Sequence, residues 1–256
     1  MYDEVITILE NKKINAEYFK LVFSSAKLAK NVKAGQFLNL QIENHQGLLL
    51  RRPFSYYRVN GSKIEVLYEI LGKGTALLSE KRKGHQLKAL GPLGVPFTQK
   101  LKKGQKRVLV AGGVGVPPLM YLAETVKESR ENQFLLIGCR SKKEVMPKSE
   151  LAKIKGKVLY ATNDGSYGVK GFVTVLLHEI IKKENPKSLF IQTCGPHAMM
   201  NAVMNVAKEF GVEGEASIDE RMACGVGACL GCVVETKDGF KTSCVEGPVF
   251  SFGDLV

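Results

Sequence analysis

The chain has 256 residues, 45% of them hydrophobic and 24% charged, a globular balance with room for two ordinary domains and a small appendage and too long for one compact module. No apolar run is long enough to cross a bilayer, and Met1-Tyr2-Asp3-Glu4 offers neither the basic start nor the apolar stretch of a signal peptide, so a cytoplasmic location is expected. The net charge of +12 invites a nucleic-acid reading, but the basic residues sit in scattered groups (Lys81-Arg82-Lys83, Lys102-Lys103, Lys142-Lys143, Lys182-Lys183) without interleaved aromatics. A solvated basic surface is the plainer account, with part of the charge serving anionic dinucleotides or an acidic partner.

Up to about residue 100 the pattern is short and β-like. Residues 5–9, 18–23, 37–42 and 64–70 read as strands, punctuated at Gly35, Asn60-Gly61 and Gly84, with one short helix over 75–78. Several short strands with few helices predict a small antiparallel barrel over 1–100. After Gly104 the texture changes. Residues 108–111, 134–137, 158–161 and 189–192 read as buried strands, and 118–128, 174–183 and 196–210 as helices. Strands alternating with helices predict a parallel sheet with right-handed crossovers over 101–213. The tail, 214–256, is rich in Gly and Cys and buries little core of its own; a bound cofactor would fold it.

Six cysteines are present: Cys139, Cys194, Cys224, Cys229, Cys232 and Cys244. In a reducing compartment they argue for metal rather than disulfides. The last four read C-x4-C-x2-C…C, the spacing of plant-type [2Fe–2S] ligands. Four thiolates make such a cluster negative, and inward-turned backbone N–H groups offset that charge. Gly225, Gly227, Ala228 and Gly231 let a loop wrap tightly enough to present them. Structural zinc prefers two separated C-x2-C pairs, and only one is present here. Cys224, Cys229, Cys232 and Cys244 are therefore the expected cluster ligands.

Gly112-Gly113-Val114-Gly115 follows the strand over 108–111 and opens a helix with Pro118 near its first turn. Gly112, Gly113 and Gly115 let a backbone approach a pyrophosphate, which the helix N-terminus favours. The spacing is not G-x-G-x-x-G, so the strand–turn–helix context carries this reading.

With these features in place, the whole chain resembles the ferredoxin–NADP reductase superfamily. Gly112-Gly113-Val114-Gly115 with Pro118-Leu119 resembles its nicotinamide turn, and Cys194-Gly195-Pro196 its second nicotinamide-side motif. Arg52-Pro53-Phe54-Ser55 resembles its flavin motif, Gly72-Lys73-Gly74-Thr75 its second flavin loop, and Gly91-Pro92-Leu93-Gly94 the turn closing its barrel. Arg51-Arg52-Pro53, Asn163-Asp164-Gly165-Ser166-Tyr167-Gly168, Arg221-Met222-Ala223-Cys224-Gly225 and Gly247-Pro248-Val249-Phe250 look like the branch that serves as electron-transfer subunit of NAD-linked (class 1B) dihydroorotate dehydrogenase. The resemblance implies an FAD-binding antiparallel barrel, a parallel-sheet nicotinamide domain and a C-terminal [2Fe–2S] subdomain. It also implies electron flow from an FMN-containing dihydroorotate dehydrogenase catalytic subunit, through [2Fe–2S] and FAD, to NAD+ in pyrimidine biosynthesis. The assembly it implies holds two of each chain; from charge and hydropathy no nucleic acid and no membrane are expected, and since cofactors carry the chemistry no catalytic acid or base is needed on this chain.

The flavin residues also read on their own terms. Arg52 offers a fixed bidentate cation to a diphosphate, Ser55 a hydroxyl to the isoalloxazine edge, and Gly74 and Thr75 an N–H and hydroxyl to phosphate at a short helix start. Phe54 stacks where the superfamily often has tyrosine, and Leu67, Tyr68 and Glu69 line the ring or ribose. Cys194 has two readings: beside the nicotinamide, as the resemblance implies, or a small buried hydrophobe. Cys139 reads as core, and His45, His85, His178 and His197 lack ligand spacing and read as non-catalytic.

For cofactor choice, Arg140, Lys142 and Lys143 after the second strand would welcome a 2′-phosphate, and only Glu144 would take a free ribose hydroxyl. The resemblance points to NAD, and NAD is the expectation. Two rivals stand beside this reading. One is a similar flavin subunit of an NAD(P)H:ferredoxin oxidoreductase or a sulfhydrogenase. The other is a redox-sensing module that holds a cluster without turnover.

Overall fold

The computed structural model describes residues 1–42 and 48–256; His45 lies outside them. Seven antiparallel strands form the N-terminal unit: β1 (Tyr2–Lys13), β2 (Tyr18–Ser24), β3 (Phe37–Gln41), β4 (Arg52–Ser55), β5 (Arg58–Asn60), β6 (Lys63–Glu69) and β7 (Gln86–Leu93), in the order β4-β3-β7-β1-β2-β6-β5. Helices α1 (Ala26–Ala29) and α2 (Lys73–Glu80) add Leu28 and Leu78 to its apolar interior. The two edge strands are consecutive in sequence, and this wraps the sheet into a barrel. Between β4 and β5, Tyr56 N–H donates to the Gln36 carbonyl at 3.3 Å and Tyr57 N–H to the Glu65 carbonyl at 2.9 Å. Alternate residues such as Ile6 and Ile8, Leu21 and Phe23, Leu38 and Leu40, and Ile64 and Val66 fill the interior, the period-two pattern of a pleated strand. Strand β7 escapes the sequence reading because Gly91-Pro92 looks like a turn. Its buried residues Leu87, Ala89, Gly91 and Leu93 nevertheless alternate.

The second unit contains β8 (Lys106–Gly112), α3 (Val116–Thr125), β9 (Gln133–Cys139), α4 (Lys148–Leu151), β10 (Lys157–Thr162), β11 (Val169–Lys170), α5 (Val173–Lys183), β12 (Leu189–Cys194), α6 (His197–Phe210) and β13 (Glu213–Ser217). The tail adds the hairpin β14 (Val233–Thr236) and β15 (Gly239–Thr242), and then β16 (Val249–Ser251). The sheet order is β11-β10-β9-β8-β12-β13-β16, parallel except for β16 against β13. The order reverses between β8 and β12, which opens a crevice beyond their C-terminal ends. Strand β13 straddles the boundary expected after residue 213, and β16 caps the same sheet, so the tail is built into the central unit.

Helix α3 joins the two units. Val116 through Ala123 are all buried, as expected of a helix that is apolar all round and covered on every side. Leu119, Met120 and Leu122 belong to the same apolar cluster as the barrel interior. A buried ionic group crosses the same junction. Arg58 Nε on β5 donates to Glu124 Oε1 and Oε2 at 2.8 and 2.9 Å. Arg58 also pairs with Glu150 on α4, which accepts from Lys20 Nζ at 2.6 Å and from the Tyr57 hydroxyl at 2.9 Å. No helix among the described residues is long and apolar enough to cross a membrane.

Candidate functional site

Strands β4 and β6 and the start of α2 enclose a cleft of ≈ 370 Å³. All nine barrel residues singled out from the sequence line it: Arg52, Pro53, Phe54, Ser55, Leu67, Tyr68, Glu69, Gly74 and Thr75. Leu71, between β6 and α2, lines it too, as do Val114, Pro117 and Asp219, which were missed because their neighbourhood depends on how the two units and the tail meet. Gly74 gives Arg52 its place, since a Cβ there would lie 2.7 Å from Arg52 Nε. The Arg52 guanidinium donates to the Leu50 carbonyl. Thr75 Oγ1 accepts the Leu71 and Gly72 N–H groups at 2.9 and 3.2 Å, closing the loop that begins α2. Phe54 and Tyr68 meet edge to face with centroids 6.0 Å apart and form an apolar wall. Burial, and then the Glu17 charge, push the Glu69 carboxyl up; the Tyr18 hydroxyl opposes them.

The glycine turn lies at the crevice. A Cβ at Gly115 would lie 2.1 Å from the Cys194 carbonyl oxygen, and one at Gly112 would lie 2.6 Å from Met199 Sδ. Gly115 is thus required by the contact of the turn with the end of β12, whereas Gly112 closely faces only a flexible side chain of α6. Gly113 has a φ of +50°, and its carbonyl accepts the Tyr18 hydroxyl from barrel strand β2 at 2.6 Å. Cys194 borders a pocket of ≈ 40 Å³ shared with Pro53, Phe54, Ser55, Gly115, Asp219 and Met222. Burial, and then the Asp219 charge, push its thiol up to about 12, so it stays protonated at neutral pH. Both readings of Cys194 meet here, because the residue is buried and also faces the turn.

The four tail cysteines sit on one loop and the hairpin beyond it. Cys224 and Cys229 lie within hydrogen-bonding reach of each other, as do Cys232 and Cys244. Cys232 and Cys244 are buried, Cys224 is half-buried and Cys229 exposed. Gly227 N–H donates to Cys244 Sγ at 3.1 Å and Val226 N–H to Cys224 Sγ at 3.4 Å. Backbone donors led by Val226 hold the Cys224 thiol down at about 7, whereas burial pushes Cys244 up to about 11. Among the described residues, no three His, Cys, Asp or Glu side chains converge on a single ion. The thiols form two pairs, a donor set that suits two irons better than one tetrahedral metal.

Cys139 is core, at the end of β9. Arg140, next to it, is held by its own side of the crevice. Its Nε meets Glu144 Oε1 at 2.7 Å, and its guanidinium lies 3.5 Å from Glu17 of the barrel. Two carboxylates therefore offset the cation that the sequence offered to a 2′-phosphate. His85 Nδ1 accepts the Arg82 N–H and His178 stacks edge-on to Phe210, whereas exposed His197 lies 3.6 Å from Glu220, at the edge of the site.

Residues 109–205 match the oxidoreductase NAD-binding domain. The fold is similar to the solved NADH-dependent reduced ferredoxin-NADP oxidoreductase, with a TM-score of 0.85 and 26% identity, covering 99% of this chain and 90% of the other. The protein is thus an NAD-binding oxidoreductase of the ferredoxin–NADP reductase fold, extended by a cluster-binding tail. Residues 219–256 match the iron-sulfur cluster binding domain of dihydroorotate dehydrogenase B. A protein of Shouchella clausii (strain KSM-K16) is 34% identical over 98% of this chain and 97% of its own length. One of Geobacillus sp. (strain WCH70) is 35% identical over 100% of this chain and 99% of its own length. Both are named dihydroorotate dehydrogenase B (NAD(+)), electron transfer subunit. The chain belongs to this family of electron transfer subunits.

Proposed function

We propose that this chain carries electrons from an FMN-containing catalytic subunit, which oxidises dihydroorotate, to NAD+ through FAD and a [2Fe–2S] cluster. The setting is cytoplasmic pyrimidine biosynthesis, in an assembly of two copies of each chain. The observation that carries this reading is the ≈ 40 Å³ pocket. It borders the flavin motif at Pro53, Phe54 and Ser55, the nicotinamide side at Gly115 and Cys194, and the cluster tail at Met222. Three cofactor sites with a shared wall suit electron passage between a nicotinamide and a cluster. FAD would serve as the converter, exchanging a hydride with the nicotinamide and single electrons with the cluster.

The residues divide the work. Within 1–100, Arg52 neutralises the flavin diphosphate, Gly74 and Thr75 hold phosphate, and Ser55 offers its hydroxyl to the ring edge. Pro53, Phe54, Leu67 and Tyr68 wall the ring, and Glu69 borders it. Within 101–213, Gly112, Gly113 and Gly115 admit the dinucleotide, and Cys194 borders the nicotinamide. Within 214–256, Cys224, Cys229, Cys232 and Cys244 ligate the cluster. The exposure of Cys229 and of Leu230, at 64%, leaves the cluster an outlet toward a partner.

Co-purification from the native cell tests the proposal: a dihydroorotate dehydrogenase catalytic chain carrying FMN is expected in equal amount. The likeness to the NADH-dependent ferredoxin-NADP oxidoreductase favours a second reading, and recovery of a ferredoxin-linked partner instead would establish it. Cys229→Ser should bleach the visible iron–sulfur spectrum and loosen the tail. Metal analysis of the wild type finding one zinc and no iron would remove the cluster from the proposal.

A further inference from the structure

We propose that Asn39 is a positioning residue that pins the cluster loop to the flavin-binding strand, through its side-chain amide and the Cys224 carbonyl. The inference rests on the cofactor assignment above. Asparagine is poorly suited to a strand interior, yet Asn39 sits in the middle of β3 and is 1% exposed. Its neighbours Leu38 and Leu40 point into the barrel. Phe37 and Asn39 occupy the other face, as the period of a strand requires. On that face Phe37 packs with Leu93, Cys232 and Cys244, and Asn39 Nδ2 donates to the Cys224 carbonyl at 3.4 Å.

The contact is close. A Cβ on Gly225 would lie 2.0 Å from Asn39 Nδ2, so the amide lies flush against the loop that presents Cys224 and Cys229. Across the sheet, Asn39 stands in register with Pro53 on β4, and Pro53 lines both the barrel cleft and the small pocket. One residue is thus a single strand pairing from the flavin motif and a single hydrogen bond from the first cluster cysteine. Asn39 Oδ1 is buried without a partner among the described residues, a cost that a leucine would not carry. Burial alone does not explain an amide here. A fixed separation between flavin strand and cluster loop does.

The test uses the reconstituted holoprotein and two near-isosteric variants, Asn39→Leu, which has no polar group, and Asn39→Asp, which keeps the shape and loses the donor. Anaerobic stopped-flow with NADH follows flavin bleaching and cluster bleaching separately, and electron paramagnetic resonance records the reduced cluster. FAD content and the flavin phase should match wild type in both variants. The cluster phase should slow severalfold, and the resonance line shape should change. Wild-type line shape and cluster rate in both variants overturn the proposal. So does loss of iron from Asn39→Leu alone with wild-type behaviour of Asn39→Asp, because the aspartate lacks the donor. Failure of NADH to reduce the cluster of the unmodified protein would instead overturn the underlying electron-transfer reading.

Discussion

Arg52 and Gly74 show how one side chain's function is set by another's absence. The guanidinium occupies the space a methyl on Gly74 would need, 2.7 Å from Nε. Gly74→Ala keeps the helical backbone but displaces the cation, so flavin content after extensive dialysis should fall. Arg52→Ala should lose more, since a buried diphosphate would lose its fixed counter-charge. Full retention in both variants would exclude Arg52 as the diphosphate cation. Gly115 has a different reason to lack a side chain: the Cys194 carbonyl is where its Cβ would go. The sequence singled out both glycines as ligand-facing. The structure adds that Gly115 is equally a packing requirement, a distinction invisible in a motif.

At the scale of elements, the junction of β5, α3 and α4 is held by ionic contacts as well as apolar ones. Burial would raise the Glu150 carboxyl, but hydrogen bonds from Lys20, Tyr57 and Arg58 overcome it and hold it at about 2. An unfolded glutamate titrates near ~4.3. The unfolded chain therefore binds this proton more readily. The contribution of Glu150 to stability is complete above that pH and is lost as pH falls toward the folded value. Glu150→Leu leaves Lys20 with only Glu65, at 3.9 Å, and Arg58 with Glu124 and Glu65, and should cost on the order of 3 kcal/mol at pH 7. Urea unfolding checks this, and the gap between wild type and variant should narrow as the pH is lowered through 4 and 3. A gap constant with pH would mean that Glu150 acts by packing alone.

For the whole molecule, the arrangement of two units and a tail bears on cofactor choice. Arg140 at the end of β9 is offset by Glu144 from its own loop and by Glu17 from the barrel. A 2′-phosphate brought there would meet two carboxylates as well as the cation, whereas a free ribose hydroxyl would accept or donate without that penalty. Steady-state reduction of an artificial acceptor should therefore prefer NADH to NADPH. Glu17→Gln combined with Glu144→Gln should narrow the preference by improving NADPH use. If NADPH remains as poor a donor as before, these carboxylates do not set the choice.

The sequence by itself determined what is local. Cysteine spacing on one loop, a glycine turn between strand and helix, and the Arg52-to-Ser55 motif are fixed by residues a few positions apart, so the chemistry they allow is legible without a fold. Strand periodicity likewise gave most of the barrel and the parallel sheet. Only the tertiary structure decided what depends on partners distant along the chain. It paired β13 with β16 across the tail and brought Asp219 to the barrel cleft. It also set Tyr18 on the Gly113 carbonyl and Asn39 on the cluster loop. Each of these contacts joins segments whose own patterns are complete without it, because a buried polar group takes whichever partner the packed surfaces present, and the identity of that surface is written in no single stretch of sequence.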